Sequence, residues 1–177
     1  MPAAAAEEAT RALAGLRSRH PDARWLPPHK LHLTLVFLGQ TESRHVERIT
    51  AATAAVAARH QAYQVATGDG GGRINTQRGG VCWLRLSDGG RETAQLALDL
   101  DAEIGAASYD PAHPPHPHLT LARGVDELTL DDVRATAHGM SLRWTADRLV
   151  LFRSYTDPGG SIYEELAAFH LASAAPG

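Results

Sequence analysis

The tetrapeptide His-Leu-Thr-Leu stands at His32-Leu33-Thr34-Leu35 and again at His118-Leu119-Thr120-Leu121. Each copy sets a histidine and a hydroxyl two residues apart in an apolar run, and on a β-strand such positions share a face. Two strands built this way present two imidazoles and two hydroxyls to one site. That set suits metal-free displacement at a phosphodiester. One imidazole takes a proton from the attacking oxygen, the other protonates the leaving oxygen, and the hydroxyls hold non-bridging oxygens. Imidazole titrates near neutrality, so one ring can be neutral while its partner is charged. A carbonyl substrate would instead call for a serine or cysteine nucleophile beside a base.

The elements that must position these residues follow from periodicity. Residues 3–19 read as an amphipathic helix with Ala9, Leu13 and Leu16 inward. Arg24 to Pro28 are an extended approach, because residues before proline avoid the α region. Leu31 to Leu38 read as a strand stopped by Gly39, Ser43 to His60 as a helix, and Ala62 to Thr67 as a strand. Gly68 to Gly72 read as a flexible hairpin loop, since the run lacks the spacing of a phosphate-binding loop. In the second half, Val81 to Leu86 read as a strand, Thr93 to Gly105 as a helix, and His118 to Arg123 as the second motif strand after a proline-rich lead-in. A helix from Leu130 to Met140, capped by Thr129 or Asp131, precedes strands at Arg148–Tyr155 and Ser161–Leu166.

His118 follows His32 by 86 residues, and at that offset helix, motif strand, helix and strand recur in register. The expected fold class is therefore α+β, with two pseudo-symmetric lobes. Each lobe is a mainly antiparallel sheet with helices on its outer face, and the two face each other across a central cleft. Residues 1–177 form a single domain whose repeats, roughly 1–67 and 81–166, interleave into the lobes. One element lacks a counterpart: the strand at Val81 precedes its helix, whereas the first half opens directly on a helix. The repeat predicts an apolar strand of about five or six residues ahead of Ala3, the first strand of lobe 1; either the start of this sequence omits it or the two lobes are unequal.

Composition excludes several classes. No run approaches the roughly 20 apolar residues of a membrane helix, and the acidic start after Met1 has no positively charged signal region. Cys82 is the only cysteine, which excludes an internal disulfide and suits a reducing cytoplasm. A net charge of −3, with Lys30 the only lysine, excludes a long basic stripe for polynucleotides, so any nucleic-acid contact is local, to an end or a short fragment.

With these elements in place, Arg24-Trp25-Leu26-Pro27-Pro28, Leu31 to Gly39 and Pro117 to Arg123 resemble the paired signatures of the two-histidine phosphoesterases. Within that superfamily the chain is most similar to the bacterial RNA 2′,3′-cyclic phosphodiesterases, historically called 2′-5′ RNA ligases. The resemblance runs through nearly the whole chain, to Arg153-Ser154-Tyr155 and Gly160-Ser161-Ile162-Tyr163. It implies hydrolysis of a terminal 2′,3′-cyclic phosphate to a 2′-phosphate with no cofactor and no metal. His32 would be the proton donor to the departing 3′-oxygen, His118 the acceptor that activates water, and Thr34 and Thr120 the phosphate ligands. Phe37 and Arg123 resemble the pair that sandwiches the terminal base. Both lie five residues after a histidine, and strict alternation sends an odd offset to the opposite face. The carry-over needs a bend or strand end, for which Gly39 and Gly124 stand nearby.

The implied partners are RNA ends, short oligonucleotides and nucleoside cyclic phosphates, with no membrane, for a cytoplasmic monomer. The same site also admits reversible 2′-5′ ligation, with a 5′-hydroxyl in place of water, and a non-catalytic RNA-end binding module is the reading from a different class. His113-Pro114-Pro115-His116-Pro117-His118 has the composition of a metal tract, but its prolines prevent a regular helix and no second ligand group stands out. His116 is expected to line the cleft or be solvated. Most of His20, His29, His45, His60, His138 and His170 are expected at the surface, and Cys82 is expected buried and inert. Tyr155 and Tyr163 are expected at the pocket border or in the core.

Overall fold

Alternation of apolar and polar residues builds the part of the fold that carries both motifs. In a computed structural model, which describes residues 1–74, 79–106, 108–109, 114–138, 140–157 and 160–173, the chain is α+β and forms two compact units. Each draws on three separate segments. The first takes Met1–Thr34, Gln64–Arg91 and His116–Thr145, and the second takes Leu35–Tyr63, Glu92–Pro115 and Ala146–Gly177.

The first unit is organised on a five-stranded sheet of order β1-β4-β3-β2-β5, from β1 (Arg24–Trp25), β2 (Tyr63–Arg73), β3 (Gly80–Asp88), β4 (His118–Val125) and β5 (Arg143–Ala146). β4 pairs antiparallel with β3 on one edge and with β1 on the other. One face of the sheet is core: Cys82, Leu84, Leu119 and Ala122 are fully buried, and Leu121 is 1% exposed. Removing such leucines from water contributes roughly 1.5–3 kcal/mol each. Helix α5 (Glu127–Ala137) packs on this face, its Leu130 and Val133 buried against the β2 glycines.

The helical pattern at 3–19 resolves into α1 (Ala3–Ala12) and α2 (Ala14–Arg19), interrupted at Leu13. At the end of α2, the His20 imidazole lies 2.9 Å from Asp132 and 3.2 Å from the Thr129 hydroxyl, tying α2 to α5. His20 is thus a half-buried clamp rather than a surface residue. Asp126 caps α5, accepting the Thr129 N–H at 2.8 Å. The cap therefore lies three residues before Thr129, because Asp126 has the extended backbone a cap requires.

The second unit packs α3 (Val46–Arg59), α4 (Gly90–Ile104, whose first two residues belong to the first unit) and the hairpin β6–β7 (Arg148–Asp157 and Gly160–His170). Ile49, Val56, Leu96, Leu100, Ile104, Leu149 and Leu171 form its core. His60, at the end of α3, pairs with Asp99 of α4 at 2.8 Å.

Two of these expectations are corrected, and one strand is new. Leu31–Leu38 does not form a continuous strand; its regular pairing is a single antiparallel bridge, Leu33 to Leu119. The register with β4 stops there because the chain enters the second unit at Leu35. Gly68–Gly72 is not a loop but the second half of β2, and Gly70, Gly71 and Gly72 stand where a Cβ would be crowded. A Cβ on Gly70 would stand 2.9 Å from the Val133 carbonyl oxygen, and one on Gly72 2.4 Å from Leu130. Strand β5, with Trp144 buried at its centre, was not expected at all. The prolines of the second motif's lead-in fall partly outside the described residues. Among those residues no helix is long and apolar enough to cross a membrane.

Candidate functional site

Alternation along β4 turns Leu119 and Leu121 into the core and leaves His118 and Thr120 on the open face. The Leu33–Leu119 bridge then fixes the first motif beside the second. In antiparallel pairing, the neighbours of a bridged pair oppose each other on the other face. His32 therefore stands across from Thr120, and Thr34 across from His118. One bridge is enough to bring both histidines and both threonines to one patch.

The two imidazoles are held by the same local device. His32 Nδ1 lies 2.8 Å from the Lys30 carbonyl oxygen, and His118 Nδ1 lies 2.8 Å from the His116 carbonyl oxygen. A carbonyl only accepts, so each Nδ1 carries a hydrogen and each Nε2 is left for chemistry. His32 Nε2 is 3.1 Å from the Thr34 hydroxyl, which donates to it when the ring is neutral. His116, exposed, contributes its backbone rather than its ring.

Burial holds His32 below the ordinary imidazole range. The Lys30 carbonyl opposes that shift, while the positive N-terminus, Arg123 and His118 reinforce it. His118 has an aromatic neighbour instead: the Trp83 ring lies 5.2 Å from it, tilted by 47°.

Arg123 reaches the histidine face by a route the sequence did not reveal. Between the pairs Trp83–Thr120 and Cys82–Ala122, β4 advances two residues while β3 advances one. Leu121 is thus the extra residue of a β-bulge, and the alternation reverses there. Ala122 goes to the core with Cys82, and Arg123 lands on the side of Trp83, Thr120 and His118. The bend that an odd offset requires lies at Leu121, ahead of Gly124. The structure thus brings together His32, Thr34, His118, Thr120 and Arg123 on one face of the first unit. Phe37 belongs to the second unit, where it is 78% exposed. Tyr155 and Tyr163 lie on the β6–β7 hairpin, the former 46% exposed.

Sequence reasoning missed Trp83, Arg85 and Arg24 as neighbours of the site. Alternation marked β3 as a strand, but which of its residues oppose His118 and Thr120 depends on a long-range register. Among the described residues no group of three or more His, Cys, Asp or Glu is placed to hold a metal ion.

An α+β fold with a His-x-Thr pair repeated on neighbouring antiparallel segments defines the two-histidine phosphoesterase class. The chain belongs to the 2′-5′ RNA ligase superfamily, whose pattern matches residues 2–158. It is 29% identical over 154 residues to a Thermus thermophilus protein named RNA 2′,3′-cyclic phosphodiesterase, covering 82% of this chain and 74% of that one. Among solved structures it is similar to apo LigT of E. coli, with TM-score 0.73, 25% identity and coverage of 97% and 92%. It is similar also to TT0787 of Thermus thermophilus, with TM-score 0.72, 24% identity and coverage of 97% and 93%.

Proposed function

We propose that the protein hydrolyses 2′,3′-cyclic phosphate ends of RNA or oligonucleotides to 2′-phosphates by paired histidine acid–base catalysis without a metal. The observation that carries this reading is the matched pair of Nδ1–carbonyl contacts, which turn both Nε2 atoms to chemistry on a face that also holds Thr34 and Thr120. The name of the Thermus relative and the LigT structure solved with 3′-AMP support the ligand class.

In this mechanism Thr34 and Thr120 donate to the non-bridging oxygens of the cyclic diester. His118 Nε2 takes a proton from water as the water oxygen bonds to phosphorus. The bond from phosphorus to the 3′-oxygen breaks, and His32 Nε2–H protonates that oxygen. The products are a 2′-phosphate and a 3′-hydroxyl, and proton exchange with solvent resets the rings. Because burial disfavours imidazolium at His32, the substrate's anionic phosphate supplies the charge that keeps the donor protonated. Arg123 stacks on the terminal base.

The test is incubation with uridine 2′,3′-cyclic phosphate in EDTA, with the 2′- and 3′-phosphate products resolved. Release of 2′-phosphate is expected. Exclusive 3′-phosphate overturns the regiochemistry, binding without turnover favours an RNA-end binding module, and loss of activity on chelation overturns the metal-free mechanism.

A further inference from the structure

The open face of the first unit's sheet carries more positive charge than hydrolysis of one phosphodiester requires. Strand register identifies its occupants. Arg24 opposes Arg123, Arg123 opposes Val81, and Val81 opposes Arg73. Trp83 lies between Thr120 and Gly71, and Arg85 opposes His118. All these positions share the side away from the buried Leu84–Leu119 pair. Arg24, Arg73, Arg85 and Arg123 are exposed. Among the described residues, none of the four makes a hydrogen bond or ion pair.

No Asp or Glu stands in this set, although the whole chain has 20 acidic residues against 17 Lys and Arg. The charge is therefore segregated onto the face that holds the histidines. Arg24 opposite Arg123 is a like-charge cross-strand pair, an arrangement that destabilises a sheet by itself. The Trp83 indole covers Gly71, where a Cβ would lie 2.7 Å from its Nε1. Such an aromatic surface between cations is what single-stranded nucleic acid stacks on. Arg73 stands two strands and two residues away from Thr120, about 12 Å between Cα atoms at ordinary strand spacings. It is displaced from the phosphate that the two threonines would hold.

We propose that this face is a track for a single RNA strand. Arg24, Arg73 and Arg85 take phosphodiesters upstream of the reacting end, and Arg123 is left to the terminal base. The inference rests on the proposed function only in taking a cyclic phosphate as that end. It makes the preferred substrate an RNA of several nucleotides rather than a free nucleoside cyclic phosphate.

The experiment compares uridine 2′,3′-cyclic phosphate with a pentanucleotide ending in the same group, from 50 to 200 mM salt. The proteins are the wild type, Arg73→Gln and, as a control on helix α1, Arg11→Gln. At 50 mM salt the pentanucleotide is expected to have about tenfold higher kcat/KM, with a log–log salt slope steeper by about 2, at ~0.7 per phosphate for three contacts. Arg73→Gln should flatten that slope by about 0.7 and lower pentanucleotide efficiency about 3- to 10-fold. It should leave the mononucleotide unchanged, and Arg11→Gln should alter neither substrate. Equal efficiency and salt slope for the two substrates overturn the track and leave end hydrolysis standing. If neither substrate turns over, the proposed function fails, and fluorescence anisotropy of a labelled pentanucleotide decides the track. An unchanged Kd in Arg73→Gln overturns it.

Discussion

His32 and His118 are oriented alike but stand in different surroundings. The shared contact from Nδ1 to the carbonyl two residues back sets the tautomer of each ring, so their roles must differ through their surroundings. Replacing either histidine with alanine should lower turnover of a cyclic phosphate by about 10²–10⁴, with the circular dichroism spectrum unchanged. The leaving group separates the two roles. Bis(p-nitrophenyl) phosphate releases an anion that needs no proton, so His32→Ala should retain activity on it to within about tenfold, whereas His118→Ala loses it. The reverse pattern would make His118 the donor. The lowered His32 pKa also sets a stability window. The unfolded chain binds a proton here at about pH 6.5 and the folded chain only below that. Stability should therefore decline as pH falls from about 6.5 to the folded value. Urea midpoints across that range should fall less steeply for His32→Gln; an unaltered slope would mean that His32 does not contribute to acid lability.

At the scale of elements, the motif residues were legible because a two-residue spacing is a local fact, and so was the sharing of a face by His118 and Thr120. The face of Arg123 was not legible. It depends on the Leu121 bulge, which arises where β4 pairs with β3, and nothing in Leu121 itself announces it. The glycine run misled for a related reason. Glycine favours loops by propensity, but in β2 it serves because α5 approaches one side and Trp83 the other. Gly72→Ala should accordingly cost about 1–3 kcal/mol by overpacking against Leu130 and the Val81 carbonyl, read as a lower midpoint in urea. Wild-type stability in that variant would mean that α5 shifts freely. The first motif shows the opposite error. Its apolar run predicts a strand, yet the path into the second unit limits regular pairing to Leu33.

Across the whole molecule, Cys82 is a sensor of integrity. Burial pushes its thiol to about 11, and the side chain is fully enclosed in the sheet core. A thiol reagent at pH 8 should label native protein only at the rate at which the core opens, and stoichiometrically in denaturant. Rapid native labelling would show that β3 and α5 separate without global unfolding. The two units have a further consequence, which concerns synthesis. The chain changes unit after Thr34, Tyr63, Arg91, Pro115 and Thr145, so no single cut yields a complete unit on either side. Strand β5 ends the first unit's share of the chain. Synthesis passes the end of β3 at Asp88 before it reaches His118, where its partner β4 and the second histidine begin, a gap of roughly 2–6 s at about 5–20 residues per second. The nascent sheet therefore presents an open edge to chaperones and to other chains before the two histidines can meet.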